Sequence, residues 1–159
     1  MTLSKIQHPS PVGPLTLFAS AQGLVAIEFE HGHRAGRADA RDDPDHPVLG
    51  QCRAQLDAYF AGKLRVFEVP LAAAGTDFQR AVWRVLQEIP FGRTESYGWV
   101  ARQIGNPKAV RAVGLANGRN PLPIVVPCHR VIGQDGTLTG YGGGLGRKQT
   151  LLALEGITL

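Results

Sequence analysis

The chain reads as an α+β protein of 159 residues in two parts, and three observations lead there. The first seventy residues combine short alternating apolar runs with one helical stripe. The remainder is mostly helical and closely punctuated by Gly, Pro and capping residues. Charge divides at the same place: residues 1–72 hold seven Lys/Arg against eight Asp/Glu, and residues 73–159 hold ten against five. The expected boundary is at Gly75, after the linker-like Pro70–Gly75 with its three alanines, giving an N-terminal α/β lobe over 1–72 and a C-terminal domain over 75–159. A basic half beside a near-neutral half points to a polyanionic partner for the C-terminal part.

In order, Leu15–Ser20 and Leu24–Phe29 alternate around Ala21-Gln22-Gly23 and are expected to form a hairpin. His31–Pro47 is polar and reads as a surface loop. Its His31, His33 and His46 lack the spacing and cysteine company of a metal site. Pro47 opens a helix whose stripe is Leu49, Cys52, Leu56, Tyr59 and Phe60, and Gly62 closes it. Cys52 lies on that stripe as a small core residue. Leu64–Leu71 is expected to add a strand.

Thr76 and Gln79 form a capping-box pattern ahead of Phe78, Val82, Val85, Leu86 and Ile89, and Pro90-Phe91-Gly92 ends that helix. Ser96 caps a short helix through Tyr97, Val100, Ala101 and Ile104, with Gly105 at its end. Asn106 and Pro107 are read as the cap and first residue of the next helix, which runs to Asn117-Gly118. Two short helices joined in this way have helix-turn-helix proportions. Lys108, Arg111 and Leu115 line one side of the second, and Ala109, Ala112, Gly114 and Ala116 leave it thin. Close helix packing and close approach to a DNA groove both fit that thinness, and the basic charge of this half favours DNA. Gln134-Asp135-Gly136 is a turn signal within 131–141, expected to make a two-stranded wing. The last helix is read over Arg147–Glu155, stopped by Gly156. Glu155 in its final turn opposes the helix dipole, which points to a partner, and His129 is the candidate.

The chemistry centres on Val126-Pro127-Cys128-His129-Arg130-Val131-Ile132. A free thiol is only roughly 3% ionised at pH 7, so a nucleophilic cysteine needs a base or a positive field beside it. Cys128 has apolar neighbours on both sides and His129 next to it. No apolar run approaches a membrane span, the N-terminus lacks a signal-peptide core, and two cysteines make no disulfide framework, so a cytoplasmic location is expected.

Taken together, Asn120-Pro121-Leu122-Pro123-Ile124-Val125-Val126-Pro127-Cys128-His129-Arg130-Val131-Ile132-Gly133 resembles the active-site signature of the 6-O-alkylguanine-DNA alkyltransferases. Gly75-Thr76-Asp77-Phe78-Gln79, Val82-Trp83, Ile89-Pro90, Ser96-Tyr97, Arg111-Ala112-Val113-Gly114, Gly140-Tyr141 and Leu151 to Gly156 match the same pattern in order. The resemblance is dense over 75–156 and loose before it. It implies an RNase H-like N-terminal lobe and a C-terminal winged helix-turn-helix domain. It implies direct-reversal repair, in which the alkyl group on the 6-oxygen of a guanine flipped from the minor groove moves irreversibly to Cys128, once per molecule. His129 would activate the thiol through a water, Glu155 would orient His129, and Asn120 would hold the active-site loop. Tyr97, Val131, Tyr141 and Gly142 would contact the substrate base, Gly142 standing where some relatives have serine. Arg111 would fill the space left in the duplex, with Lys108, Ala112 and Gly114 also on the DNA side. The resemblance implies no cofactor, no metal, no membrane, a monomer, and double-stranded DNA carrying alkylated guanine as partner. The alternatives are a non-enzymatic binder of alkylated DNA, which would lack the cysteine, and a cysteine hydrolase, which would turn over repeatedly.

Overall fold

In the computed structural model, which describes residues 2–30, 37 and 39–158, the chain divides into two compact units, Met1–Ala74 and Gly75–Leu159. His31 and His33 lie outside the described residues.

In the first unit, β1 (Ser4–His8), β2 (Leu15–Ala19) and β3 (Leu24–Phe29) form an antiparallel meander. A short β4 (Arg41–Asp42) runs parallel to β1, so the sheet order is β3-β2-β1-β4. The expected hairpin is β2–β3. Alternation buries Leu15, Leu17, Leu24 and Ala26 against α1 (Pro47–Phe60), which contributes Leu49, Cys52, Leu56 and Tyr59. His46 caps α1: its Nδ1 accepts from the backbone N–H of Val48 at 3.2 Å.

Two expectations fail here. Leu64–Leu71 is not a strand; it makes a single parallel bridge, Leu71 with Leu24. The Gln55 side chain takes both backbone groups of Glu68, at 2.8 and 3.1 Å, and Pro70 has no N–H to donate, so the backbone groups that a ladder would need are spent or absent. Conversely, β4 lies inside the segment read as a loop. It is two residues long and exposed, so it shows no alternation to read.

The second unit contains α2 (Asp77–Leu86), β5 (Glu95–Ser96), α3 (Tyr97–Gln103), α4 (Val110–Gly118), β6 (Val131–Ile132) and α5 (Leu145–Leu154). The capping box is formed as read: Gln79 N–H donates to Thr76 Oγ1 at 3.1 Å and Thr76 N–H to Gln79 Oε1 at 3.0 Å. α2 buries Val82, Trp83, Val85 and Leu86, and Trp83 Nε1 donates to the Ala116 carbonyl of α4 at 2.9 Å. Gly75 is required where it stands, because a Cβ there would lie 2.5 Å from the Trp83 ring.

Ser96 caps α3 through the N–H of Trp99 at 3.0 Å. α4 begins at Val110, not at Pro107. Residues 107–108 form a turn closed by Ala109 N–H on the Asn106 carbonyl, so Lys108 precedes the helix. The expected two-stranded wing is also corrected. The turn at 134–136 forms, but β6 pairs in parallel with β5, Glu95 opposite Val131 and Ser96 opposite Ile132. No returning strand follows the turn. The carbonyls of Val131 and Thr139 instead accept from Lys148 Nζ, at 2.6 and 3.3 Å.

Candidate active site

Cys128 opens a 3-10 turn, Cys128–Arg130, at the end of an irregular buried segment. Asn120 shapes that segment. Its Nδ2 donates to the Val126 carbonyl at 2.8 Å and its Oδ1 accepts from Leu122 N–H at 3.0 Å. Within it, Ile124 adopts φ of 75° while only 1% exposed, a left-handed conformation that a β-branched residue rarely takes. Asn120 therefore fixes the chain on both sides of a strained residue and leads it to the thiol. Cys128 N–H donates to the Val126 carbonyl at 2.8 Å, and the thiol is 5% exposed.

Burial pushes the Cys128 thiol up from its ordinary value, against the Asn120 side chain and the positive field of Lys148. At rest the cysteine is thus a neutral thiol that ionises when a base takes its proton while these groups stabilise the anion.

The base is adjacent. His129 is fully buried, and its Nε2 lies 2.6 Å from Glu155 Oε2. Burial lowers His129, so it rests neutral. An ionised carboxylate only accepts, so Nε2 carries the hydrogen and Nδ1 keeps the lone pair. Nδ1 is buried and makes no hydrogen bond to any described residue, which leaves it open to take a proton. Burial works against the charge of Glu155, but hydrogen bonds from His129, Arg130 and the Gly92 N–H overcome it and hold the carboxyl at about 2. The Gly92 contact is 3.0 Å and comes from a backbone with φ of 82°, a conformation suited to glycine.

Two buried residues of this cluster were not singled out from the sequence. Arg130 forks onto Glu155, Nε to Oε1 at 2.8 Å and Nη2 to Oε2 at 3.1 Å, while its Nη1 donates to the Ile89 carbonyl at 2.7 Å. Lys148 is 0% exposed, and burial brings its ammonium down to about 8 although the Cys128 thiolate would raise it. The signal for Lys148 was helical spacing: Lys148, Leu151, Leu152 and Glu155 share the inward face of the last helix and its cap.

The remaining candidates fall in three places. Val131 is fully buried with its carbonyl on Lys148, and Tyr141 is half-buried in the segment before α5. Tyr97, half-buried at the start of α3, bonds Thr139 Oγ1 at 2.6 Å, and a Cβ on Gly114 would lie 3.9 Å from its ring. Arg111 and Ala112 are exposed on α4, Lys108 is exposed just before it, and Gly142 is exposed with its would-be Cβ 3.7 Å from the Gly118 carbonyl. Among the described residues, no three His, Cys, Asp or Glu side chains gather as a metal site would need, and no helix is long and apolar enough to cross a membrane.

Comparison with known proteins identifies the family. Residues 77–157 match the family model for the DNA binding domain of 6-O-methylguanine DNA methyltransferase, and residues 5–73 match its ribonuclease-like domain. A methylated-DNA--protein-cysteine methyltransferase of Mycolicibacterium paratuberculosis is 54% identical over 92% of this chain and 88% of its own. One from Methanosarcina acetivorans is 50% identical over 92% and 94%. The crystal structure of Mycobacterium tuberculosis OGT in complex with DNA superimposes with a TM-score of 0.89 at 50% identity, covering 98% of this chain and 93% of that one. The chain belongs to the 6-O-methylguanine DNA methyltransferase family.

Proposed function

We propose that this protein repairs alkylated guanine in double-stranded DNA by direct reversal, with Cys128 as the acceptor. The observation that carries the reading is a buried thiol followed directly by a histidine whose Nε2 is tied to a carboxylate and whose Nδ1 is open. Nδ1 of His129 takes the thiol proton, through a bridging water. The sulfur attacks the alkyl carbon, the carbon–oxygen bond breaks, and a carbon–sulfur bond forms. The proton passes back to the departing guanine, so the base leaves neutral and the protein keeps a thioether. Glu155 orients His129 and balances its transient charge, which is the division of labour of a nucleophile–base–orienter triad. The ammonium of Lys148 stabilises the thiolate. No bond in the product returns the thiol, so each molecule acts once.

The target carbon is inaccessible inside a duplex, so the nucleotide must be extruded. In this reading α4 enters the minor groove, Arg111 fills the space left behind, and Tyr97 contacts the extruded nucleotide. Lys108, Ala112 and Gly114 allow or assist the close approach. Tyr141, Gly142 and the Val131 backbone line the base pocket. Gly142 offers an N–H but no hydroxyl, so recognition there rests on the backbone. The protein would act as a monomer in the cytoplasm, where its thiol stays reduced.

The test is an intact-mass measurement after incubation with 6-O-methylguanine duplex. One methylene should be added, on the Cys128 peptide, and the reaction should stop at one equivalent. Cys128→Ser should bind DNA and transfer nothing. Repeated turnover would indicate a hydrolase, and absence of transfer a damage-binding protein.

A further inference from the structure

Gly114, Asn117 and Gly118 of α4 stand at the i, i+3 and i+4 spacing that shares one helix face. Each of the three meets a candidate residue of the site. A Cβ on Gly114 would lie 3.9 Å from the Tyr97 ring, and the Gly118 carbonyl lies 3.7 Å from the would-be Cβ of Gly142. Between these two contacts the Asn117 side chain reaches the backbone of the nucleophile, its Nδ2 donating to the Cys128 carbonyl over a long 3.5 Å. With glycine on either side, Asn117 is the side chain that this face sets among Tyr97, Cys128 and Gly142. It is 4% exposed.

A backbone carbonyl only accepts, so the amide nitrogen of Asn117 faces Cys128 and Oδ1 is turned away from it. Oδ1 is buried and makes no hydrogen bond to any described residue. A buried acceptor is costly to leave unmet, and such groups ordinarily have a donor. Alkylation of the 6-oxygen removes the proton from N1 of guanine, so the exocyclic amine at C2 is the N–H donor that the alkylated base retains. We propose that Asn117 is a specificity-determining residue: its Oδ1 accepts from the 2-amino group of the extruded base and selects alkylated guanine over alkylated bases that lack the amine. This inference rests on the reading of the protein as a repairer of alkylated guanine and names the group on the base that the site selects.

6-O-methylguanine and 6-O-methylhypoxanthine differ by that amine alone. Single-turnover transfer is measured from both, in one duplex sequence and as free bases, where pairing and extrusion do not enter. Wild type should prefer 6-O-methylguanine by about tenfold or more in both settings, the scale of one hydrogen bond to a buried acceptor. Asn117→Leu keeps the approximate shape and removes the carbonyl, and its guanine-to-hypoxanthine ratio should fall about tenfold. Asn117→Ala should lower the ratio likewise. A rate constant, unlike an end-point, does not scale with the folded fraction, so a partly misfolded variant still reports the ratio. Equal rates on the two free bases in wild type would overturn the proposal whatever the variants do. So would a wild-type ratio in both variants: with both rates slowed together, Asn117 would serve only to hold the Cys128 turn, and with both unchanged it would have no part in transfer. Transfer from neither base by wild type, in duplex or free, would overturn the repair reading itself.

Discussion

At Glu155 the two carboxylate oxygens accept from His129, from both arms of the Arg130 fork and from the Gly92 backbone. Arg130 supplies the compensating charge, so the histidine need not be cationic to keep the carboxylate ionised in a dry site. This is how Glu155 stays ionised while burial keeps His129 neutral. Glu155→Gln would leave the Arg130 guanidinium buried without its counter-charge, a change that typically destabilises by about 3–5 kcal/mol. It should also slow transfer, as should His129→Phe. If the two residues form one relay, the double variant should be far less than multiplicatively slower, measured by single-turnover kinetics on alkylated duplex. Cys128, His129 and Glu155 were legible from the sequence because chemistry-bearing residues were adjacent or sat where the helix dipole disfavoured them. Arg130 was not: an arginine after a histidine has no period or cap to mark it, and its worth depends on Ile89 and Phe91, forty residues away.

At the level of elements, the fold was legible where local chemistry decides it. The Thr76–Gln79 box, the Ser96 cap and the turn at Gly105 are satisfied within a few residues of themselves. It was illegible where a distant group decides. Gln55 removes the strand at 64–71, Lys148 captures the carbonyls of the expected wing, and Leu3 and Lys5 recruit the segment at 41–43 to the sheet. The packing of α2 rests on an equally local demand, the lack of a side chain at Gly75. Gly75→Ala would press a methyl group onto the buried Trp83 ring and strain the Trp83–Ala116 hydrogen bond that joins α2 to α4. The expected loss is about 1–3 kcal/mol, the usual range for overpacking, read by urea denaturation of the full chain.

For the molecule as a whole, every candidate residue lies in Gly75–Leu159, the unit that carries the excess of basic residues. The molecule's stability should depend on pH through its buried titratable groups, Glu155 and Lys148 among them. Glu155 is depressed to about 2 from an ordinary 4.5, so its stabilising contribution is complete above the unfolded value and is lost as pH falls from about 4.5 towards about 2. Lys148 is lowered to about 8 from 10.5, so above about 8 the unfolded chain binds more protons at this site and stability rises with pH, until near 9 the thiols of Cys128 and Cys52, raised by burial, begin to oppose it. Thermal unfolding followed from pH 2 to about 9 should show the acid limb and the onset of the alkaline one. Lys148→Met should remove the alkaline one, and an unchanged alkaline limb in that variant would exclude Lys148 as its source.

The left-handed turn at Ile124 has a consequence for how this sequence can drift. Positions with positive φ ordinarily welcome glycine, which relieves strain of about 1–3 kcal/mol. Here the side chain is also packed to 1% exposure, and emptying such a site forfeits about 2–5 kcal/mol. Backbone and core ask for opposite residues, and neither request can be met without breaching the other. In a saturation library selected for repair, position 124 should therefore be depleted of glycine and of polar residues alike, an evolutionary cul-de-sac four residues from the nucleophile.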